Sequence, residues 1–193
     1  IGSPMTDTPA LDPALKAAVD ALDAGGVIAY PTEAVWGLGC DPDNERALTA
    51  LLRLKERDPA KGLILIAGHI SQLAPWLEGL PAELHGPLVS SWPGPNTWLV
   101  PDNGRSHCLL RGCHQSVAVR VSDHPLVARL CEAYGGPIVS TSANRAGEPP
   151  ALSAETVRET LGDGLAAILD GPLGDHPRPS TIRDLVSGRV LRD

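Results

Sequence analysis

Residues 44–67 read NERALTALLRLKERDPAKGLILIA and carry a helix into a strand through one short turn. Asn44 offers an oxygen that can cap free backbone N–H groups, and Leu48, Leu51, Leu52 and Lys55 share one helical face. Asp58-Pro59 breaks the helix, and residues 63–67 form an apolar run of strand length. The same alternation extends outward from this stretch. Upstream, Asp12-Pro13 opens and Gly25-Gly26 closes a helix marked by Leu11, Leu15, Val19 and Leu22, and a buried strand is expected at 27–30. Downstream, strands are expected at 98–100, 117–121, 138–141, 167–169 and 181–186, with helices at 81–90, 125–134 and 153–161. Short buried strands alternating with helices, some close enough for hairpins, predict an α+β (mixed α/β) single domain. Its twisted sheet of parallel and antiparallel strands would carry packed helices.

The 193 residues suit one compact core, and 42% hydrophobic with 20% charged residues excludes disorder and coiled coil. No apolar run approaches the roughly 20 residues of a bilayer crossing, so a soluble protein with no membrane association is expected. Ile1-Gly2-Ser3-Pro4 ahead of Met5 lacks the pattern of a secretory signal and reads as a cloning remnant, leaving residues 5–193 as the domain. Cys40, Cys108, Cys113 and Cys131 lie far apart, which points to reduced thiols in a cytoplasm. A net charge of −7 disfavours a broad basic surface for nucleic acid, so any RNA contact is expected to be local or weak. With 20 Gly and 19 Pro scattered as punctuation, the loops are expected to carry the chemistry.

Neither a P-loop nor a complete G-x-G-x-x-G is present, since Gly37-Leu38-Gly39 runs on into Cys40-Asp41-Pro42. Four other stretches place reactive side chains at strand ends. Residues 30–39, YPTEAVWGLG, offer Thr32 and Glu33 where ligands favour open sheets, or else form a proline-led turn with Trp36 tucked in. Lys55, Arg57 and Lys61 gather cations suited to a polyphosphate on an exposed helix end, or simply complement the helix dipole. Ser140-Thr141-Ser142-Ala143-Asn144 follows a buried strand with three hydroxyls and an amide that can bond phosphate or ribose, or cap the next element. Arg120 interrupts the apolar run 117–121 and requires an anionic partner, either an internal carboxylate or that of a substrate. His107-Cys108 and Cys113-His114 lack metal-site spacing, so no zinc is expected, and no cysteine shows the setting of a nucleophile. His69, His85, His124 and His176 are expected as caps or surface residues.

Together these segments, with Trp92-Pro93-Gly94-Pro95 and Pro179-Ser180-Thr181-Ile182-Arg183, resemble the YrdC-like threonylcarbamoyl-AMP synthases, particularly the short bacterial TsaC form. The resemblance spans about residues 17–192 and implies a YrdC/RibB-like fold. It implies a nucleotidyltransferase that converts L-threonine, bicarbonate and ATP into threonylcarbamoyl-AMP, pyrophosphate and water. This is the first half of N6-threonylcarbamoyladenosine formation at position 37 of tRNA, completed by downstream threonylcarbamoyl-transfer proteins. By the same likeness Lys55 and Arg57 are catalytic and bind the triphosphate, Ser142 and Asn144 hold the nucleotide, and Arg192 adds a cation. Thr32, Arg120, Ser140 and Ser180 surround threonine. Mg²⁺ arrives with ATP, and no residue is nominated as a metal ligand.

Three departures stand out from that pattern: Ala67 where longer relatives have histidine, Asp58 in place of a proline, and an end at Leu191-Arg192-Asp193 without the usual glycine. Longer relatives also add a linker and a second domain. Two other functions compete with the synthase. One is a double-stranded-RNA-binding or ribosome-maturation factor, a role with which YrdC-like proteins have been credited, against which the acidic balance counts. The other is a carbamoyl-transfer domain like that of hydrogenase maturation proteins, which expects fused domains.

Overall fold

The computed structural model describes residues 12–175 and 178–192; the expected remnant at 1–4, Leu11 and His176 lie outside that range. Its elements run α1 (Pro13–Asp23), β1 (Ile28–Pro31), β2 (Trp36–Gly39), α2 (Glu45–Lys55), β3 (Ile64–Ala67), α3 (Ala74–Leu77), α4 (His85–Ser91), β4 (Asn96–Pro101) and α5 (Cys108–Arg111). They continue through β5 (Ser116–Val121), α6 (Pro125–Tyr134), β6 (Ile138–Ser142), α7 (Ala154–Leu161), β7 (Ala167–Ile168), β8 (Thr181–Asp184) and β9 (Val190–Arg192).

The strands form one sheet in the order β7-β1-β2-β6-β3-β5-β4-β8-β9. β1 with β7, β3 with β5 and β4 with β8 are parallel, and the remaining neighbours are antiparallel. Side-chain alternation along the strands splits the core between the two faces. Ala29, Leu38, Leu65, Val119 and Val139 pack with residues of α2, α3, α4 and α7. Ile28, Tyr30, Ile66 and Ile138 pack under α1 and α6. Arg120 is paired with Ile66 and Ser140 with Ile64, so along this second face the apolar patch gives way to polar groups. That transition positions the site.

Helix ends follow the sequence. Asp12 and Asn44 accept backbone N–H bonds at the starts of α1 and α2, with Pro13 in the first turn of α1. Ser153 caps α7 in the same way. Two elements differ from expectation, and the first has a clear cause. Residues 36–39 form a strand rather than a loop: Gly37 and Gly39 lie against Thr32, Tyr30 and the Val139 carbonyl, where a β-carbon on Gly39 would come within 2.6 Å of that oxygen. Glycine is thus needed for close approach inside a strand that carries little pattern of its own. The expected helix at 81–90 is divided into a 3-10 turn, Ala82–Leu84, and α4.

Candidate active site

One cavity of about 230 Å³ brings together Thr32, Arg57, Arg120, Ser140, Ser142, Ser180 and Arg192, seven of the nine residues singled out from the sequence. Among the described residues no helical residue lines it; its walls are strands and loops. The β1–β2 turn supplies Thr32, whose hydroxyl donates to the Val35 carbonyl at 2.6 Å and closes the hairpin. β6 supplies Ser140 and Ser142, and β5 supplies Arg120. Ser180 precedes β8, buried with its hydroxyl 2.6 Å from that of Thr97.

Lys55 and Asn144 stand one step behind the wall. The Lys55 ammonium donates to the carbonyls of Ser142 (2.5 Å) and Asn144 (3.1 Å) and to Asn144 Oδ1 (3.3 Å). Asn144 Oδ1 accepts from the Ser142 hydroxyl at 2.5 Å, while Nδ2 donates to the Glu148 carbonyl at 2.8 Å. The cation therefore clamps the loop that faces the cavity. Lys55 is only 3% exposed, so the expectation of an exposed helix end is corrected: apolar residues of α2 point inward, and the last turn carries Lys55 in with them. Burial, with Arg57 nearby, pushes its pKa down to about 8.

Arg57 is half-buried and is oriented by two bonds, Nε and Nη2 to the Gly62 carbonyl at 3.2 and 3.0 Å. Gly62 has φ +72°, and a β-carbon there would meet the Arg111 carbonyl at 2.6 Å, so glycine fixes the acceptor that aims Arg57. Arg192 grips the Ser180 carbonyl through Nε and Nη2 at 3.1 and 2.9 Å. Burial lowers the pKa of both arginines, and each of Lys55 and Arg192 is lowered further by the charge of Arg57. The groups lie close enough to repel one another, an arrangement suited to an anion.

Arg120, 7% exposed, forms an ion pair with Glu33, 3% exposed, and the Ser122 hydroxyl donates to the other Glu33 oxygen. The internal carboxylate foreseen for Arg120 is thus present, yet the guanidinium also faces the cavity, and its Nε has no hydrogen-bond partner among the described residues. The internal partner is Glu33, and the unpartnered Nε leaves Arg120 a donor toward the cavity. Glu33, offered by the sequence as a strand-end carboxylate for a ligand, is instead the partner of Arg120, and Arg178, also on the wall, was not singled out. Its signal was only a cation two residues before the Ser180 segment.

The remaining candidates fall elsewhere. His69, His107 and His124 each accept a backbone N–H at the start of a helical turn. Cys108 and Cys113 are exposed. Asp58, the departure after Arg57, accepts from the Ala60 N–H at 3.0 Å and caps the next turn. Among the described residues no group of three or more His, Cys, Asp or Glu is placed to hold a metal ion, and no helix is long and apolar enough to cross a membrane.

A family model for Sua5, YciO and YrdC proteins, described as "Telomere recombination", matches residues 20–193. The threonylcarbamoyl-AMP synthase of Chromohalobacter salexigens is 67% identical over 175 residues, which cover 91% of this chain and 94% of that protein. The threonylcarbamoyl-AMP synthase of Alkalilimnicola ehrlichii is 57% identical over 174 residues, 89% of this chain and 90% of that one. Among solved structures, P. abyssi Sua5 complexed with L-threonine has a TM-score of 0.84 at 30% identity and covers 91% of this chain. The match takes in 52% of that protein, so the present chain spans about half the length of Sua5.

Proposed function

The chain belongs to the Sua5–YciO–YrdC family, and from that premise we propose that it is a threonylcarbamoyl-AMP synthase, joining L-threonine, bicarbonate and ATP with release of pyrophosphate and water. The observation that carries the chemistry is the convergence of Arg57, Arg120 and Arg192 with Thr32, Ser140, Ser142 and Ser180 on one cavity.

The threonine amine and bicarbonate give a carbamate with loss of water. The carbamate oxygen then attacks the α-phosphorus of ATP, forming the mixed anhydride as the bond to pyrophosphate breaks. Nucleophile and nucleotide are both anions, so bringing them together is the main obstacle, and cations with fixed positions lower it. Arg57 and Arg192 take the triphosphate. Ser142 and Asn144 hold the nucleotide on a loop that Lys55 keeps in place. Arg120 meets the threonine carboxylate, with Thr32, Ser140 and Ser180 around the rest of the amino acid.

MgATP is the nucleotide form this cavity suits. Glu33, the one carboxylate on the wall among the described residues, is already engaged by Arg120 and Ser122, which leaves the ion's ligands to phosphate and water. The product is then passed to threonylcarbamoyl-transfer proteins for adenosine 37 of tRNA, and the reaction is assigned to the cytoplasm, where ATP and tRNA meet.

The test is release of pyrophosphate from ATP by purified protein with Mg²⁺, omitting threonine or bicarbonate in turn. Release that needs both is expected. Failure to release it, together with salt-sensitive binding of double-stranded RNA, overturns the assignment.

A further inference from the structure

Four arginines line the cavity, Arg57, Arg120, Arg178 and Arg192, and the partners of the first, second and fourth divide into two kinds. Arg57 and Arg192 are held by neutral oxygens, a backbone carbonyl in each case, and keep their full charge toward the cavity. Of these three, only Arg120 faces a buried carboxylate among the described residues. That carboxylate is itself anchored, because Glu33 accepts from the Ser122 hydroxyl, and Ser122 Oγ accepts from the His124 backbone N–H at 3.0 Å at the start of α6. Arg120 and Ser122 sit two residues apart at the end of β5, whereas Glu33 comes from the β1–β2 turn. In the sheet, β2, β6 and β3 lie between β1 and β5. The turn, which belongs to β2 as well as β1, reaches across the two strands β6 and β3 to make this contact, and nothing in the local hairpin requires it to.

An enzyme that holds an amino acid beside a polyphosphate must keep the two anions from exchanging places. A fully charged, unpaired guanidinium favours the more highly charged phosphate; one already paired with a carboxylate offers little net charge but keeps free N–H donors for a monoanion. We propose that Glu33 is a positioning and selectivity residue. Its carboxylate fixes Arg120 at the cavity wall and reserves it for a singly charged carboxylate, leaving polyphosphate to Arg57 and Arg192. This rests on the synthase reading for the identity of the two anions, whereas the sorting of charge follows from the geometry alone.

Glu33→Gln keeps the shape and the bond from Ser122 while removing the charge. The expected result is a KM for threonine about tenfold higher, a KM for ATP within about twofold, and pyrophosphate that becomes a competitive inhibitor against threonine. Titration with pyrophosphate alone, which needs no turnover, is expected to show binding about tenfold tighter in Glu33→Gln than in the unsubstituted protein. Ser122→Ala, which loosens Glu33 but keeps its charge, is expected to raise the threonine KM several-fold with pyrophosphate binding unchanged, and it decides the matter should Glu33→Gln fail to fold. Unchanged threonine KM in a folded Glu33→Gln, or in Ser122→Ala if only that variant folds, overturns the proposal and assigns Glu33 to stability alone. Equal pyrophosphate affinity with and without the Glu33 charge also overturns it. An unsubstituted protein without threonine-dependent release of pyrophosphate overturns the synthase reading instead, and the pyrophosphate titration then judges Glu33 by itself.

Discussion

Lys55 shows how one side chain can look like a ligand in the sequence and act as a clamp in the fold. Its ammonium is surrounded by oxygens of the Ser142–Asn144 loop, and burial brings its pKa from the ordinary 10.5 to about 8. The unfolded chain therefore binds more protons than the folded one between about pH 8 and 10.5, so this group makes unfolding less favourable as pH rises through that window. The cost of burying the charge is fully present below pH 8. Urea midpoints followed across that range are expected to climb in the unsubstituted protein relative to Lys55→Met, with the curves parallel below pH 8. The same variant is expected to raise the KM for ATP about tenfold, because the loop loses its clamp. Thr32, Arg120, Ser140 and Ser142 stood out in the sequence as polar groups in or beside buried strands and Arg57 as a cation at a helix end, whereas Ser180 and Arg192 were named only through the family resemblance; all seven line the one cavity. Glu33 was not legible: its partner lies 87 positions further along the chain, and no local pattern says which strand end the turn will reach.

At the scale of elements, α1, α2, α6 and α7 were readable from spacing and caps, because each carries its signal within a dozen residues. β2 was hidden, since two glycines in four positions erase alternation, and the reason for them lies in Tyr30 and Val139 on neighbouring strands. β9, three exposed residues on the margin of the sheet, carries no pattern of its own and was expected only through the resemblance, as a last strand holding Arg192. The cap on α2 gives a clean check on what helix stability contributes to the site. Asn44 lies at the opposite end of α2 from Lys55 and accepts the Ala47 N–H at 3.1 Å. Asn44→Ala is expected to cost about 1 kcal/mol of stability in denaturant melts. Its KM values for threonine and ATP are expected to stay within about twofold, since the cavity end of the helix is untouched.

For the whole molecule, the proposed threonine site draws on strands from both halves of the sheet, because Thr32 follows β1, Ser140 lies on β6, Arg120 on β5 and Ser180 precedes β8. A ligand that binds only this assembled state stabilises all of it. At about one hundred times its Kd, threonine is expected to add ~2.7 kcal/mol, seen as a rise in melting temperature of roughly 5–10 °C. Arg120→Lys keeps a cation for Glu33 but loses the planar fork, so its shift is expected to be much smaller. Equal shifts in both proteins would remove Arg120 from the carboxylate. That none of the described lining residues is helical has a practical result for anyone redesigning this protein. Packing under α1 or α7 and recognition in the cleft are specified by different stretches of chain, so thermal hardening of the one and a change of amino-acid preference in the other can be selected in separate libraries and then combined.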